Sequence, residues 1–345
     1  MPATHGQLVD SSFRPAWWLP GGHLQTLWAS LVRRAPRITL RRERLELADG
    51  DFLDLDWTPG ESGPIVLILH GLQGSSNSPY ARGLMAACHA RGWRAVVMHF
   101  RGCSGEPNRL PRAYHSGETT DLAGVIDILK QREADTPVVT VGYSLGGNVL
   151  LKWLAERGTP HPVRAAIAVS VPYLLDQGAK RLDRGISRLY QGHLMSSLIK
   201  SIINKRHILD GHIDLDQVHK LRRIYDFDDV VTAPLHGFGS ADNYYKQCSS
   251  RPVLSAIDVP TLLLHARNDP FMTPACVPGA RELSASTRLE ISDDGGHVGF
   301  VSGNWPWRAR YWLEDRITAF LAEHLAGEAG GGQVAQNVPF TDDCR

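Results

Sequence analysis

The run Val138-Val139-Thr140-Val141-Gly142-Tyr143-Ser144-Leu145-Gly146-Gly147-Asn148-Val149-Leu150-Leu151-Lys152-Trp153-Leu154 constrains this chain more than any other segment. A β-branched stretch leads into a glycine-flanked serine and then into an apolar stretch, so Ser144 is expected at the apex of a sharp strand-to-helix turn. Such a turn brings the backbones of strand and helix together, and only small residues fit two positions before and two after the serine. Here both positions are glycine. A turn of this kind is a nucleophile elbow, but a serine hydroxyl stays a weak nucleophile until a base takes its proton. The question for the remaining sequence is whether it supplies that base, an acid to orient it and donors for an oxyanion.

The pattern on either side of the elbow predicts an α/β fold with a mostly parallel central sheet flanked by helices. Apolar and polar residues alternate from Ile38 to Leu47 and from Phe52 to Trp57 around Asp49-Gly50-Asp51, which reads as an antiparallel hairpin. Pro64-Ile65-Val66-Leu67-Ile68-Leu69-His70 and Arg94-Ala95-Val96-Val97-Met98-His99-Phe100 read as strands buried on both faces. Helices are expected near Pro79 to Ala90 and Glu118 to Arg132, and a further strand at Val163 to Ser170. Strand and helix in alternation imply βαβ units. The rhythm breaks between Pro172 and Ser250, where Leu194 to Ile203 and Leu215 to Ile224 look helical and no buried strand is evident. It resumes at Pro260 to Ala266 and Thr287 to Ile291, and a helix near Trp307 to His324 closes the fold. The expected organisation is an N-terminal arm at 1–36, a core at 37–171 and 251–326, a helical cap insertion at 172–250 and a flexible tail at 327–345.

With 345 residues, 43% hydrophobic and 21% charged, the chain can bury a sizeable core. Its 37 Lys and Arg against 36 Asp and Glu leave a net charge of +1, so no global field attracts nucleic acid or anionic membranes, and any charge-driven partner must be local. Five scattered cysteines without a C-x-x-C pair fit a reducing, cytoplasmic setting rather than a disulfide framework. No apolar run reaches the roughly 18 residues needed to cross a bilayer. Peripheral membrane contact stays open, and Arg33, Arg34, Arg37, Arg41, Arg42 and Arg44 form a local basic stretch, which is usually a solvated face and otherwise suits anionic head groups or phosphate-bearing substrates. No helix carries His-Glu-x-x-His and no phosphate-binding glycine loop follows a strand, so neither metal nor cofactor is expected. No motif sets an oligomeric state.

The acid that orients the base should close a late strand, and the histidine should follow it. Asp269 meets the first condition at the end of Leu262-Leu263-Leu264-His265-Ala266-Arg267-Asn268-Asp269-Pro270. Its competitors Asp176, Asp293 and Asp294 are less well placed, the last two lying too near His297 in sequence. His297 meets the second condition in Asp294-Gly295-Gly296-His297-Val298-Gly299-Phe300, where glycines let a loop deliver an imidazole to Ser144. Oxyanion donors are expected from the backbone N–H of Leu145 and from the loop after His70-Gly71, at Leu72. His70 itself is expected to support that loop by hydrogen bonding.

Taken together, these segments resemble the α/β-hydrolase superfamily and, within it, the YheT-like branch of bacterial candidate esterases and eukaryotic α/β-hydrolase-domain lipases. The resemblance spans residues 15 to 325 and includes Gly21-Gly22-His23-Leu24-Gln25-Thr26 in the arm, His70-Gly71-Leu72-Gln73-Gly74-Ser75-Ser76, Arg101-Gly102-Cys103, Tyr114-His115-Ser116-Gly117, the elbow, Asn268-Asp269-Pro270 and Gly295 to Phe300. One departure is Ser104-Gly105-Glu106 after Cys103. The resemblance implies a serine hydrolase of short-chain or acylglycerol-type carboxylic esters, with Ser144 as nucleophile, Asp269 as acid and His297 as base. Acyl transfer through the same intermediate is the related alternative, and an idle binding module on the same fold is the rival of another class. The arm motif around His23 is expected to fold over the core beside the cap.

Overall fold

The computed structural model describes residues 5–326. The tail expected at 327–345 lies outside them. Nine strands form one sheet: β1 (Gln7–Asp10), β2 (Arg41–Glu46), β3 (Phe52–Trp57), β4 (Ile65–Leu69), β5 (Arg94–Met98), β6 (Val138–Tyr143), β7 (Ala166–Val169), β8 (Thr261–Ala266) and β9 (Thr287–Ser292). Their order across the sheet is β1-β9-β8-β7-β6-β4-β5-β3-β2. β1, β9, β8, β7, β6, β4 and β5 run parallel, while β3 is antiparallel to both β5 and β2. The hairpin of β2 and β3 thus caps one edge of a parallel sheet.

Alternate residues of each central strand feed two cores, as a strand covered on both faces requires. On one face Ile65, Leu67 and Leu69 of β4 pack with α3 (Thr120–Arg132) and α4 (Leu145–Arg157) through Leu122, Val125, Val149 and Leu150. On the other, Val66 and Ile68 meet α2 (Pro79–Ala90) and the closing helix Trp312–Leu325 through Leu84, Met85, Ile317 and Leu321. Burying each such side chain contributes about 1.5–3 kcal/mol.

Several elements differ from expectation. The closing helix begins at Trp312, because Pro306–Arg308 is a 3₁₀ turn and Arg310–Tyr311 pairs with Val301–Ser302. The patch at Leu215 to Ile224 is two short helices, Leu215–Val218 and Ile224–Phe227, and the Leu194 patch belongs to a longer helix, Ser187–Asn204. The arm holds elements that its pattern does not announce: Gln7–Asp10 adds the edge strand β1 beside β9, and α1 (Gly21–Leu27) runs into a π-helical turn, Trp28–Val32. Between β7 and β8 the chain forms only helical elements, including α5 (Leu175–Leu182) and α6 (Ser187–Asn204). Among the described residues no helix is long and apolar enough to cross a membrane.

The glycines of the elbow are steric requirements. A Cβ at Gly146 would lie 2.5 Å from the carbonyl oxygen of His70, and one at Gly142 would lie 2.6 Å from that of Gly146. Neither neighbour is a side chain that could swing away. Gly146→Ala is therefore expected to lower unfolding free energy by about 1–3 kcal/mol, the usual cost of overpacking. Urea denaturation checks this, and an unchanged midpoint would contradict the close approach.

Candidate active site

Ser144 follows β6 directly and precedes α4, with φ 52° and ψ −119°. Such backbone strain costs about 1–3 kcal/mol and persists only where the surroundings enforce it. Here Ser144 N–H donates to the Val169 carbonyl at 2.8 Å, and the Ser144 carbonyl accepts from Asn148 N–H at 3.1 Å. The hydroxyl is consequently held above the C-terminal edge of the sheet.

The structure brings the three residues singled out by position into one hydrogen-bonded chain. His297 Nε2 lies 3.0 Å from Ser144 Oγ, and His297 Nδ1 lies 2.8 Å from Asp269 Oδ2. Asp269 is buried, and its other oxygen accepts from Phe271 N–H at 2.8 Å. With Nδ1–H donating to that carboxylate, Nε2 faces the serine as an acceptor, the arrangement a base needs. The competing acids do not reach the imidazole: Asp294 accepts from Asn268, Asp293 pairs with Arg267, and Asp176 pairs with Lys180.

The loop carrying Leu72 is fixed on both sides. The Gly71 N–H donates to Tyr80 Oη at 2.8 Å, and the Gly71 carbonyl accepts from His70 Nδ1 at 2.7 Å. His70 is fully buried, its Nε2 accepts from Phe100 N–H, and burial pushes its pKa down to about 3, so it acts as a neutral support. Gln73, at φ 55°, donates its N–H to Tyr114 Oη at 2.9 Å. Among the described residues, the N–H groups of Leu72 and Leu145 have no protein acceptor. A first-turn N–H such as that of Leu145 has no intrahelical partner. Both residues border one cavity with Ser144 and His297.

That cavity measures about 920 Å³. Its walls are mostly apolar, with Leu182, Leu198, Phe227 and Val231 from the segment between β7 and β8, and Leu27 and Leu31 from the arm. The Phe271 ring stacks on His297 at 4.1 Å and 1°. Tyr190 of α6 packs on Phe271 at 5.1 Å, and its hydroxyl meets His23 Nδ1 at 3.1 Å. The arm, α6 and the His297 loop are thereby joined edge to edge.

Sequence reasoning missed how the arm motif works, and its geometry supplies an account. Thr26 Oγ1 accepts the His297 backbone N–H at 2.9 Å and donates to the Gly22 carbonyl at 2.7 Å. Gln25, fully buried, accepts from Val301 N–H and donates to the carbonyls of Val301 and Leu19. Gly22 lies so close to Asn268 that a Cβ would sit 2.0 Å from that residue's carbonyl oxygen. The motif thus grips both loops, the one carrying Asp269 and the one carrying His297. Ser170 does the same from the end of β7, its Oγ accepting Val298 N–H at 3.1 Å. The sequence signal was a cluster of glycine and polar residues, Gly21-Gly22-His23-Leu24-Gln25-Thr26, in an otherwise apolar arm.

Thr26→Val keeps the shape and removes the acceptor, leaving the His297 N–H unpaired. Turnover of a water-soluble aryl ester is expected to fall about tenfold with little change in KM, and Thr26→Ser should restore it. Equal losses in the Val and Ser variants would contradict this positioning role.

A family model for the alpha/beta hydrolase fold matches residues 64–304. "Putative esterase YheT" of Escherichia coli (strain K12) is 42% identical over 326 residues, covering 93% of this chain and 96% of that protein. "Phospholipase ABHD3" of Homo sapiens is 29% identical over 324 residues, covering 91% and 79%. Among solved structures, the Pyrococcus furiosus esterase Pf2001 superposes with a TM-score of 0.55 at 16% identity, over 84% of this chain and 94% of that one, a likeness of fold. The chain belongs to the α/β-hydrolase fold family, in its YheT-like branch.

Proposed function

We propose that this chain hydrolyses carboxylic esters through an acyl-enzyme on Ser144. The observation that carries the proposal is the chain Asp269–His297–Ser144, at 2.8 and 3.0 Å, opening into an apolar cavity beside two unengaged backbone N–H groups. The names of YheT and ABHD3, an esterase and a phospholipase, support ester chemistry in this branch.

The geometry supports each step of this reading. Ser144 Oγ attacks the carbonyl carbon while its proton moves to His297 Nε2. Negative charge develops on the carbonyl oxygen, where the N–H groups of Leu72 and Leu145 receive it, each donor stabilising the transition state by about 3 kcal/mol. Asp269 offsets the charge of the imidazolium without taking its proton. The tetrahedral species collapses, the ester C–O bond breaks, and His297 returns the proton to the departing alkoxide. Water then attacks the acyl-serine by the same route in reverse and releases the acid. Free acid is the expected product, and transfer to an added alcohol acceptor would point instead to an acyltransferase.

The cavity falls at the upper end of the roughly 300–1,000 Å³ range of small-molecule sites, and its walls offer an acyl chain more apolar than polar surface. Hydrolysis of 4-nitrophenyl esters is therefore expected to continue beyond about four acyl carbons. A sharp fall at that length would contradict the cavity's assignment. Ser144→Ala should lower kcat on 4-nitrophenyl butyrate by about 10⁴–10⁶-fold with an unchanged circular dichroism spectrum. Retained turnover would sink the nucleophile assignment.

A further inference from the structure

Among the described residues nine large hydrophobic side chains are exposed, and eight of them belong to the arm beyond β1, to the start of α6 and to the turn packed on the arm. Leu24, Leu31, Val32 and Trp17 come from the arm, Ile186 and Leu189 from the start of α6, and Trp305 and Trp307 from the turn packed on the arm. Leu31 and Leu189, each 74% exposed, also border the cavity, as does Ile186. The apolar lining of the site therefore continues outward onto the surface on both sides of the mouth, from the arm and from α6. Scattered exposed apolar residues need no explanation, but a grouped set around a cavity mouth does.

The three tryptophans form one cluster that joins the mouth through the arm. Trp17 packs against Trp305 at 6.2 Å, and Trp305 stacks on Trp307 at 5.5 Å. Trp18, the next residue of the arm, packs on Trp28 at 4.6 Å and donates its indole N–H to the Gly303 carbonyl. Trp28 opens the short helical turn that ends in Leu31 and Val32. Tryptophan combines an apolar ring with a donor, which suits the head-group level of a bilayer.

Charge narrows the choice of occupant. From Leu175 to Arg206 seven Lys and Arg face two Asp, a net charge of +5 against +1 for the whole chain. Arg184, Arg188 and Lys200 are exposed on this stretch. On the other flank Arg34 and Arg37 are exposed with no acidic residue between Leu31 and Ile38, while Arg33 is taken up by Glu314 at 2.6 Å. Apolar side chains bordered by cations on both flanks fit a layer that is apolar inside and anionic at its face. A second copy of this chain would bring like charges together on the same flanks.

We infer that this rim is a docking surface for anionic lipid bilayers, which seats the cavity mouth on the membrane so that an ester lipid can enter without crossing water. The inference rests on the proposed ester hydrolysis for its purpose and on the rim's apolar and basic residues for its evidence. It is a peripheral attachment, in keeping with the absence of a membrane-spanning helix among the described residues.

Two variants outside the cavity test it: Trp305→Ser with Trp307→Ser, and Arg34→Glu with Arg188→Glu. Flotation is measured with vesicles of phosphatidylcholine alone and with 30% phosphatidylglycerol added (about one anionic head group in three). The wild-type protein is expected to bind the anionic vesicles about tenfold more tightly than the neutral ones. The tryptophan variant should lose about tenfold on both, and the charge variant should lose only the preference for anionic vesicles. Hydrolysis of 4-nitrophenyl acetate should stay within about twofold throughout. Wild-type protein that floats with neither vesicle, or variants that bind as well as wild type, would overturn the docking surface. A dimer abolished by the tryptophan variant, with no vesicle binding, would assign the rim to a second copy. Absence of acetate hydrolysis by the wild type would sink the ester reading instead, whatever the vesicles show.

Discussion

The site depends on one close approach of backbones. Gly146 lets α4 start against the carbonyls of Leu69 and His70 at the end of β4, and Gly142 lets β6 turn tightly enough to reach it. The strain at Ser144 follows from that approach and is offset by the burial of β6 and α4 in the two cores. Because β4 and β6 are neighbours in the sheet, the same contact places the His70–Leu72 loop beside the serine. The proposed nucleophile and oxyanion donors are thereby set by a single piece of backbone geometry rather than by separate devices.

The proposed base and its acid require a second device. Asp269 and His297 lie after β8 and β9 on loops that the sheet alone would leave loosely aimed. The arm grips both loops through Gly22, Gln25 and Thr26, and Ser170 adds a hydrogen bond from β7. Each bond is worth only about 1 kcal/mol net. Their value lies in fixing the imidazole within reach of Ser144, since small misplacements of a reacting group are expensive in rate. Tyr190 and Phe271 extend the same support to the ring face of His297, joining the substrate cavity to the base.

Much of this was legible in the sequence because the signals were local. The continuous apolar runs of β4, β5, β6 and β8 can serve only as strands covered on both faces, and the glycines around Ser144 mark a turn that no other residue fits. Chain order put Asp269 and His297 on loops after late strands, and the structure brings them together beside Ser144. The arm's elements and its hydrogen bonds to the loops were not legible. Gln7–Asp10 is too short to show a period, and it becomes a strand only because the edge of β9 offers a partner. Thr26 acts on His297 across 271 positions of sequence, and no local pattern records such a contact. The break after Val218 was likewise hidden, since a helical spacing from Leu215 to Ile224 does not say that tertiary packing will interrupt it.

The central claim is that the reactive serine is made by this three-residue chain in the folded protein. Intact mass and peptide mapping after treatment with a fluorophosphonate test it most directly. The account predicts one adduct, on Ser144, that forms in native protein and is lost both in urea and in His297→Ala. An adduct on another serine, or equal labelling of native and unfolded chains, would contradict it.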